Sequence, residues 1–256
     1  MAEKRKRIHM LDEIRGFAIL CMIVHHTFLD IGDVLGLSWG YTMFDKLCAV
    51  QPIFWAIFII ISGMCTRLSR NAVKRGALVF GCAVMVTLVT AMIMPMMGFA
   101  GAEIFFGILH CLGICMMAAG LLMPLVKKTD YRTGAFISAV LFVFFYGIER
   151  KTLCLGLIQL PDAIYKNNFF APLGIHSDTF FSADYFPVIP WIFMFFVGVF
   201  IGKLAADEAL PQLMYKKRSK FFSFIGKNSL WVYLAHQPII YGIMLLISLF
   251  LNEYNT

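Results

Sequence analysis

The chain is written in long apolar runs separated by short polar breaks. A helix that crosses a bilayer needs about 20 mainly apolar residues. Seven segments reach or approach that length: Leu11 to Gly32, Leu47 to Met64, Gly76 to Phe99, Ile104 to Val126, Tyr131 to Ile148, Tyr185 to Leu204 and Ser229 to Leu251. The third carries no charged residue. His110 is the single histidine of the fourth and His236 of the seventh, and neither run holds an Asp, Glu, Lys or Arg. The pattern predicts an all-α, polytopic transmembrane helix bundle of about seven helices, with residues 1–256 forming one membrane domain. The longest connection runs from Glu149 to Asp184. Its stretch Leu153 to Leu160 is apolar but too short to span, so it either lies at the interface or dips into the membrane. A connection of this length, filled with aromatics, reads as a lid or binding element.

The placement of basic residues orients the bundle. Of 22 Lys and Arg, eighteen fall on the side of the N-terminus if seven helices are counted. They sit near the start (Lys4 to Arg7, Arg15), after the second helix (Arg67, Arg70, Lys74, Arg75), around Lys127 to Arg132, and from Lys203 to Lys227. Only Lys46, Arg150, Lys151 and Lys166 fall on the other side. Positive residues favour the cytoplasmic face. The N-terminus is therefore expected in the cytoplasm and the C-terminus outside it. Small loops and the lack of targeting features point to a prokaryotic plasma membrane.

Composition excludes a soluble domain. Hydrophobic residues make up 60% of the chain and charged ones 14%, where a soluble protein has about a quarter charged. The mean hydropathy is +0.79. The net charge of +7 comes from clusters between apolar runs, which is a topology signal and not a nucleic-acid surface. Seven cysteines, odd in number, show no disulfide framework. Cys111 and Cys115 share a helix face and read as small packing residues, so no metal site is expected. Lys4-Arg5-Lys6-Arg7 before an apolar run resembles a signal peptide. His25, His26 and Asp30 interrupt that run, and no small-residue cleavage site appears, so it reads as a retained helix.

Ionisable groups at membrane depth cost about 2.5–3.5 kcal/mol on insertion scales and are functional candidates by default. The first helix carries Arg15, His25, His26, Asp30 and Asp33. Arg15 and His26 are eleven residues apart, on nearly one face and roughly 16 Å apart along the axis. Asp30 stacks one turn beyond His26, where a carboxylate can fix the imidazole tautomer. His25 points away and reads as a packing or hydrogen-bonding residue. His110, His236 before the helix-kinking Pro238, and Asp184 with Trp191 at the start of the sixth helix complete the polar set. Arg67, Arg70, Lys74 and Arg75 serve equally as anchors and as a cradle for phosphate. Gly198 and Gly202 form a GxxxG face that packs within one chain or between copies, leaving a homo-oligomer open.

Taken in order, several short motifs resemble one family. They are Leu11-Asp12, Arg15-Gly16-Phe17-Ala18 and His26; Ser62-Gly63; Phe106-Gly107-Ile108-Leu109-His110; Asp184-Tyr185-Phe186-Pro187 with Pro190-Trp191; and Ser229-Leu230, Tyr233-Leu234 and His236-Gln237-Pro238. They are similar to the heparan-α-glucosaminide N-acetyltransferase catalytic-domain family of the transmembrane acyltransferases. The resemblance implies acetyl transfer from cytosolic acetyl-CoA to the nitrogen or an oxygen of an extracytoplasmic acceptor, an amino sugar of the glucosamine type. His26 matches a polar catalytic position that is Asn in some members and His in others. The resulting expectation has His26 as general base or acyl carrier, oriented by Asp30, with His110 or His236 donating to the oxyanion. Arg15, Arg67, Arg70, Lys74 and Arg75 would hold the coenzyme A thioester, and Asp33, Asp184 and Trp191 the acceptor. A proton-coupled transporter of small solutes would also use intramembrane His and Asp. It is disfavoured by the lack of an internal repeat and of paired broken helices.

Overall fold

The computed structural model describes residues 6–96 and 101–254. Lys4, Arg5 and the Phe99 end of the expected third helix lie outside the described residues. In chain order the helices are α1 (His9–Leu35), α2 (Ser38–Cys48), α3 (Gln51–Arg67), α4 (Ala72–Leu88), α5 (Met94–Met96), α6 (Ile108–Leu121), α7 (Met123–Lys128), α8 (Tyr131–Phe145), α9 (Trp191–Ala206), α10 (Lys220–Lys227) and α11 (Ser229–Tyr254). Strands among the described residues are limited to a two-residue antiparallel pair, β1 (Thr152–Leu153) with β2 (Ile158–Gln159).

Four helical stretches are long and apolar enough to cross a bilayer: His9–Leu35, Ala72–Met96, Tyr131–Arg150 and Ser229–Leu251. The bent pair α2 and α3 makes a fifth candidate, and α6 and α9 are shorter apolar helices. The count is consistent with the expected seven or so, and the protein is an integral membrane protein. Large side chains face outward, with Phe136 and Phe250 each 70% exposed. In water such a surface is a liability; in lipid it is the solvent-facing side.

Prolines explain where the helices depart from the expected limits. The second segment starts earlier and bends by 56° between Cys48 and Gln51, because Pro52 has no N–H to give the Cys48 carbonyl and its ring crowds that carbonyl. Ahead of Pro95 the third passes through a π-helical turn, Val89–Ile93. A missing proline N–H is accommodated there by local re-registration. The fourth is broken at Leu122, with Pro124 in the first turn of α7. In the sixth, helix begins only at Trp191, because Tyr185 is drawn into a bridge with Gly107 and prolines occupy 187 and 190.

The chain forms two compact units, Met1–Phe58 with Leu210–Thr256, and Ile59–Ala209. In the first, α1 packs against α2, α10 and α11. Close approach to α10 depends on two glycines: a side chain at Gly16 would meet the Phe222 carbonyl, and one at Gly226 the Asp12 carbonyl. Buried Glu13 accepts the backbone N–H groups of Arg218 (2.8 Å) and Ser219 (3.0 Å), so it satisfies the otherwise unpaired start of α10.

In the second unit, α4 packs on α6 and α8 on α9. The last turns of α3 lie against α9, where Gly63 faces the Phe195 carbonyl and Gly198 the Ile60 carbonyl. Gly202 faces Met64 and the Arg67 stem. The GxxxG glycines are therefore used inside the chain. Cys111 and Cys115 are both 1% exposed, with their sulfurs 3.9 Å apart.

The long connection is ordered by its own polar contacts. Lys151 bridges Asp162 (3.0 Å) and Asp178 (3.4 Å), and the hydrogen bond to Asp162, reinforced by Asp178, holds its ammonium above the ordinary lysine pKa. Tyr165 donates to the Ile148 carbonyl and Tyr185 to the Ala171 carbonyl at 2.7 Å. Burial, with Glu149 nearby, pushes the Tyr185 phenol upward.

Candidate active site

In the first unit, α1 and α11 bring four polar side chains together. His26 Nδ1 lies 3.2 Å from His236 Nε2 and 3.3 Å from Gln237 Oε1. Gln237 Nε2 donates to both oxygens of Asp30, at 3.1 and 3.2 Å. His236 Nδ1 donates to the Tyr233 carbonyl of its own helix. Asp30 and His236 are buried, while His26 is partly exposed. The expected stacking of Asp30 below His26 is present, but the carboxylate reaches the imidazole through Gln237.

Proton positions follow from which atoms can only accept. A carbonyl has no proton to give, so His236 Nδ1 must carry one. In neutral His236 the other nitrogen, Nε2, is then an acceptor. It faces His26 Nδ1, which must therefore carry its proton on that side. Neutral His26 is left with an unprotonated Nε2. The network thus fixes a tautomer whose free lone pair is what a general base needs. Neutral His236 has both nitrogens engaged, so it has no N–H left for an oxyanion.

His25, its neighbour on α1, is turned to other partners. It is 4% exposed, stacks on Phe44 with centroids 4.2 Å apart, and contacts Cys48 Sγ (3.5 Å) and Gln51 Nε2 (3.3 Å). Arg15 binds the Gly226 carbonyl at 3.2 Å and lies 4.0 Å from Asp12. Asp33 is exposed and accepts from the Tyr41 hydroxyl at 2.7 Å.

The remaining expected residues belong to the second unit. Buried His110 accepts the Gly107 N–H at Nδ1 (3.1 Å), so its Nε2 carries the proton and meets Thr87 Oγ1 at 3.4 Å. Thr87 in turn donates to the Ile104 carbonyl at 2.7 Å. This histidine ties the start of α6 to α4. Asp184 Oδ2 accepts the Ile108 N–H at 3.3 Å, the first free N–H of α6. Trp191 is buried against Phe142 and Phe186, with centroids 5.3 and 4.8 Å away. Arg67 keeps a buried Nη1 without a hydrogen-bond partner among the described residues. Arg70, Lys74 and Arg75 are exposed around the start of α4, which Asn71 caps by accepting the Lys74 N–H at 2.8 Å.

The family model described as heparan-α-glucosaminide N-acetyltransferase, catalytic, matches residues 7–238. The chain belongs to this family. The match takes in α1 and ends at Pro238, so it covers His26, Asp30, His236 and Gln237 together. No curated protein and no solved structure matches the chain. Membership in the heparan-α-glucosaminide N-acetyltransferase catalytic family makes acetyl transfer the family chemistry and the membrane its setting. Gln237 and the Tyr233 carbonyl are the members of the site that charge-based reasoning overlooks. An uncharged amide in an apolar helix is the available signal for Gln237, and the motif His236-Gln237-Pro238 contains it.

Proposed function

We propose that the protein transfers an acetyl group from cytosolic acetyl-CoA to an amino sugar of the glucosamine type beyond the membrane, with His26 as general base. The single observation behind this reading is the hydrogen-bond chain that leaves His26 Nε2 unprotonated on a partly exposed ring. Acetyl-CoA supplies the acetyl group as a thioester. As the acceptor nitrogen bonds the acetyl carbon and the thioester C–S bond breaks, His26 Nε2 takes the proton the amine gives up and returns it to the departing thiolate, while Asp30 and Gln237 keep the ring oriented. The unpartnered Nη1 of Arg67, together with Arg70, Lys74 and Arg75, fits the donor's phosphates. Arg15 is assigned to the donor, and Asp33, Asp184 and Trp191 to the acceptor. The reading treats residues 1–256 as one domain of a prokaryotic plasma membrane, with the N-terminus in the cytoplasm and the C-terminus outside.

The test uses the full chain in proteoliposomes oriented by protease protection of the N-terminus. Acetyl-CoA is supplied on the N-terminal side and glucosamine on the other. Thiol release that requires glucosamine, with N-acetylglucosamine appearing opposite the donor, is the expected result. Solute flux without acetyl-CoA, and no thiol release, would replace the enzyme with a transporter. In the same assay Arg67→Met is expected to raise KM for acetyl-CoA by about tenfold, the worth of one charge-assisted hydrogen bond. The kcat is expected to remain that of the parent.

A further inference from the structure

The geometry points to Gln237 as a positioning residue that, together with His236, holds His26 in its reactive tautomer, with Asp30 acting through it. This rests on the reading of His26 as the base. A primary amide has two chemically opposite ends: its nitrogen only donates and its oxygen only accepts. Both oxygens of buried Asp30 lie within hydrogen-bond distance of the Gln237 nitrogen. A carboxylate accepts, so the nitrogen must face Asp30. The amide oxygen is thereby turned toward His26 Nδ1, at 3.3 Å, where it receives the N–H.

Reversing the amide would change the chemistry. Its oxygen would then face the carboxylate, acceptor against acceptor. Its NH2 would face His26 Nδ1 and require a lone pair there, moving the ring proton to Nε2. The base would be protonated where it has to react. Asp30 therefore sets the sense of the amide, and the amide, alongside His236, holds the tautomer.

A second anchor acts on the same N–H. The Tyr233 carbonyl fixes the His236 tautomer, and His236 Nε2 presents an acceptor to His26 Nδ1 at 3.2 Å. One anchor is a carboxylate on α1 and the other a main-chain oxygen on α11. They converge on one proton from two directions. Gln237 differs from His236 in what it adds: it couples His26 to Asp30, which lies one turn away on the same helix and makes its hydrogen bonds to Gln237.

The experiment is a [15N]histidine spectrum of the full chain in lipid nanodiscs at neutral pH, with the His26 signals identified by their loss in His26→Gln. The parent is expected to show His26 protonated at Nδ1 and bare at Nε2. Gln237→Met keeps the side-chain length but removes both amide functions. It is expected to show a mixture of tautomers and to lose kcat by on the order of 10²-fold, the cost of misplacing a reacting group by about 1 Å. KM for acetyl-CoA, with glucosamine as acceptor, is expected to stay unchanged. Gln237→Glu, sharing one proton with Asp30, still donates toward Asp30 and accepts from His26, so it is expected to recover most of kcat and the parent spectrum.

A parent spectrum protonated at Nε2 overturns the proposal. So does Gln237→Met at the parent kcat or with the parent spectrum, or a Gln237→Glu protein no better than Gln237→Met. If Gln237→Met is fully active while His26→Ala is inactive, the positioning role falls and the base stands. A His26→Ala protein at the parent rate removes the base itself, whatever the spectrum shows.

Discussion

His26→Ala is expected to leave a folded protein whose acetyl transfer has fallen by roughly 10²- to 10⁴-fold, the usual contribution of a general base. The substitution deletes the one unprotonated ring nitrogen in the His26–His236–Gln237–Asp30 cluster that is not already accepting a hydrogen bond within it. It also removes the N–H that His236 and Gln237 share. Because His26 is only partly buried, water can reach the vacated acceptors and the fold is expected to tolerate the change. The informative companion is His26→Asn. Its amide can still donate to Gln237 but offers no basic nitrogen. Loss in both variants identifies proton abstraction as the role. Activity in His26→Asn together with loss in His26→Ala would identify a hydrogen-bond donor instead. Glucosamine-dependent thiol release, normalised to monodisperse protein, reads all three.

The largest effect on stability is expected from Gly198→Val. A side chain there would be driven into the Ile60 carbonyl of α3. The obstacle is main chain, which cannot rotate out of the way as a flexible side chain would. Overpacking of this kind typically costs about 1–3 kcal/mol, and more where backbone must move. The cost arises where the apolar surfaces of α3 and α9 meet closely enough that only glycine fits, the usual device for close helix approach in lipid. A lower midpoint of thermal unfolding in detergent, with loss of monodispersity, is the expected reading. Gly81→Ala is the control. Nothing lies within 4 Å of the added methyl group, and replacing glycine by alanine inside a helix favours the folded state. Equal behaviour of the two variants would disprove the close-contact account.

Much of the helical layout was legible before the structure, because lipid leaves few alternatives. An apolar run must be a helix to satisfy its own backbone, and His9–Leu35 and Ser229–Leu251 follow from run length alone. The ends were less legible. Tyr185 to Pro190 is largely apolar like the helix it precedes, yet its backbone is claimed by Gly107, Phe106 and Pro172, partners remote in sequence. At the site, the pairing of His26 with Asp30 on one face followed from helical spacing. That Gln237 stands between them did not, since α11 is about 210 residues away and spacing within α1 carries no information about it. His110 is another case in which spacing is silent. A histidine in an apolar run draws attention as chemistry, but here its two nitrogens serve the Gly107 turn and Thr87. Only the partners separate these cases.

The carbonyl of Tyr233 has a consequence for how this site can change over time. A side chain that sets proton order can be lost by a single codon change, but the oxygen of a peptide unit is present whatever residue occupies that position. Drift at 233 would leave the polarity of the histidine pair intact as long as the helix persists. Selection on the proton order of this half of the relay therefore acts on the helix and on the two imidazoles, while the Tyr233 ring contributes separately through its contact with His236, centroids 5.3 Å apart.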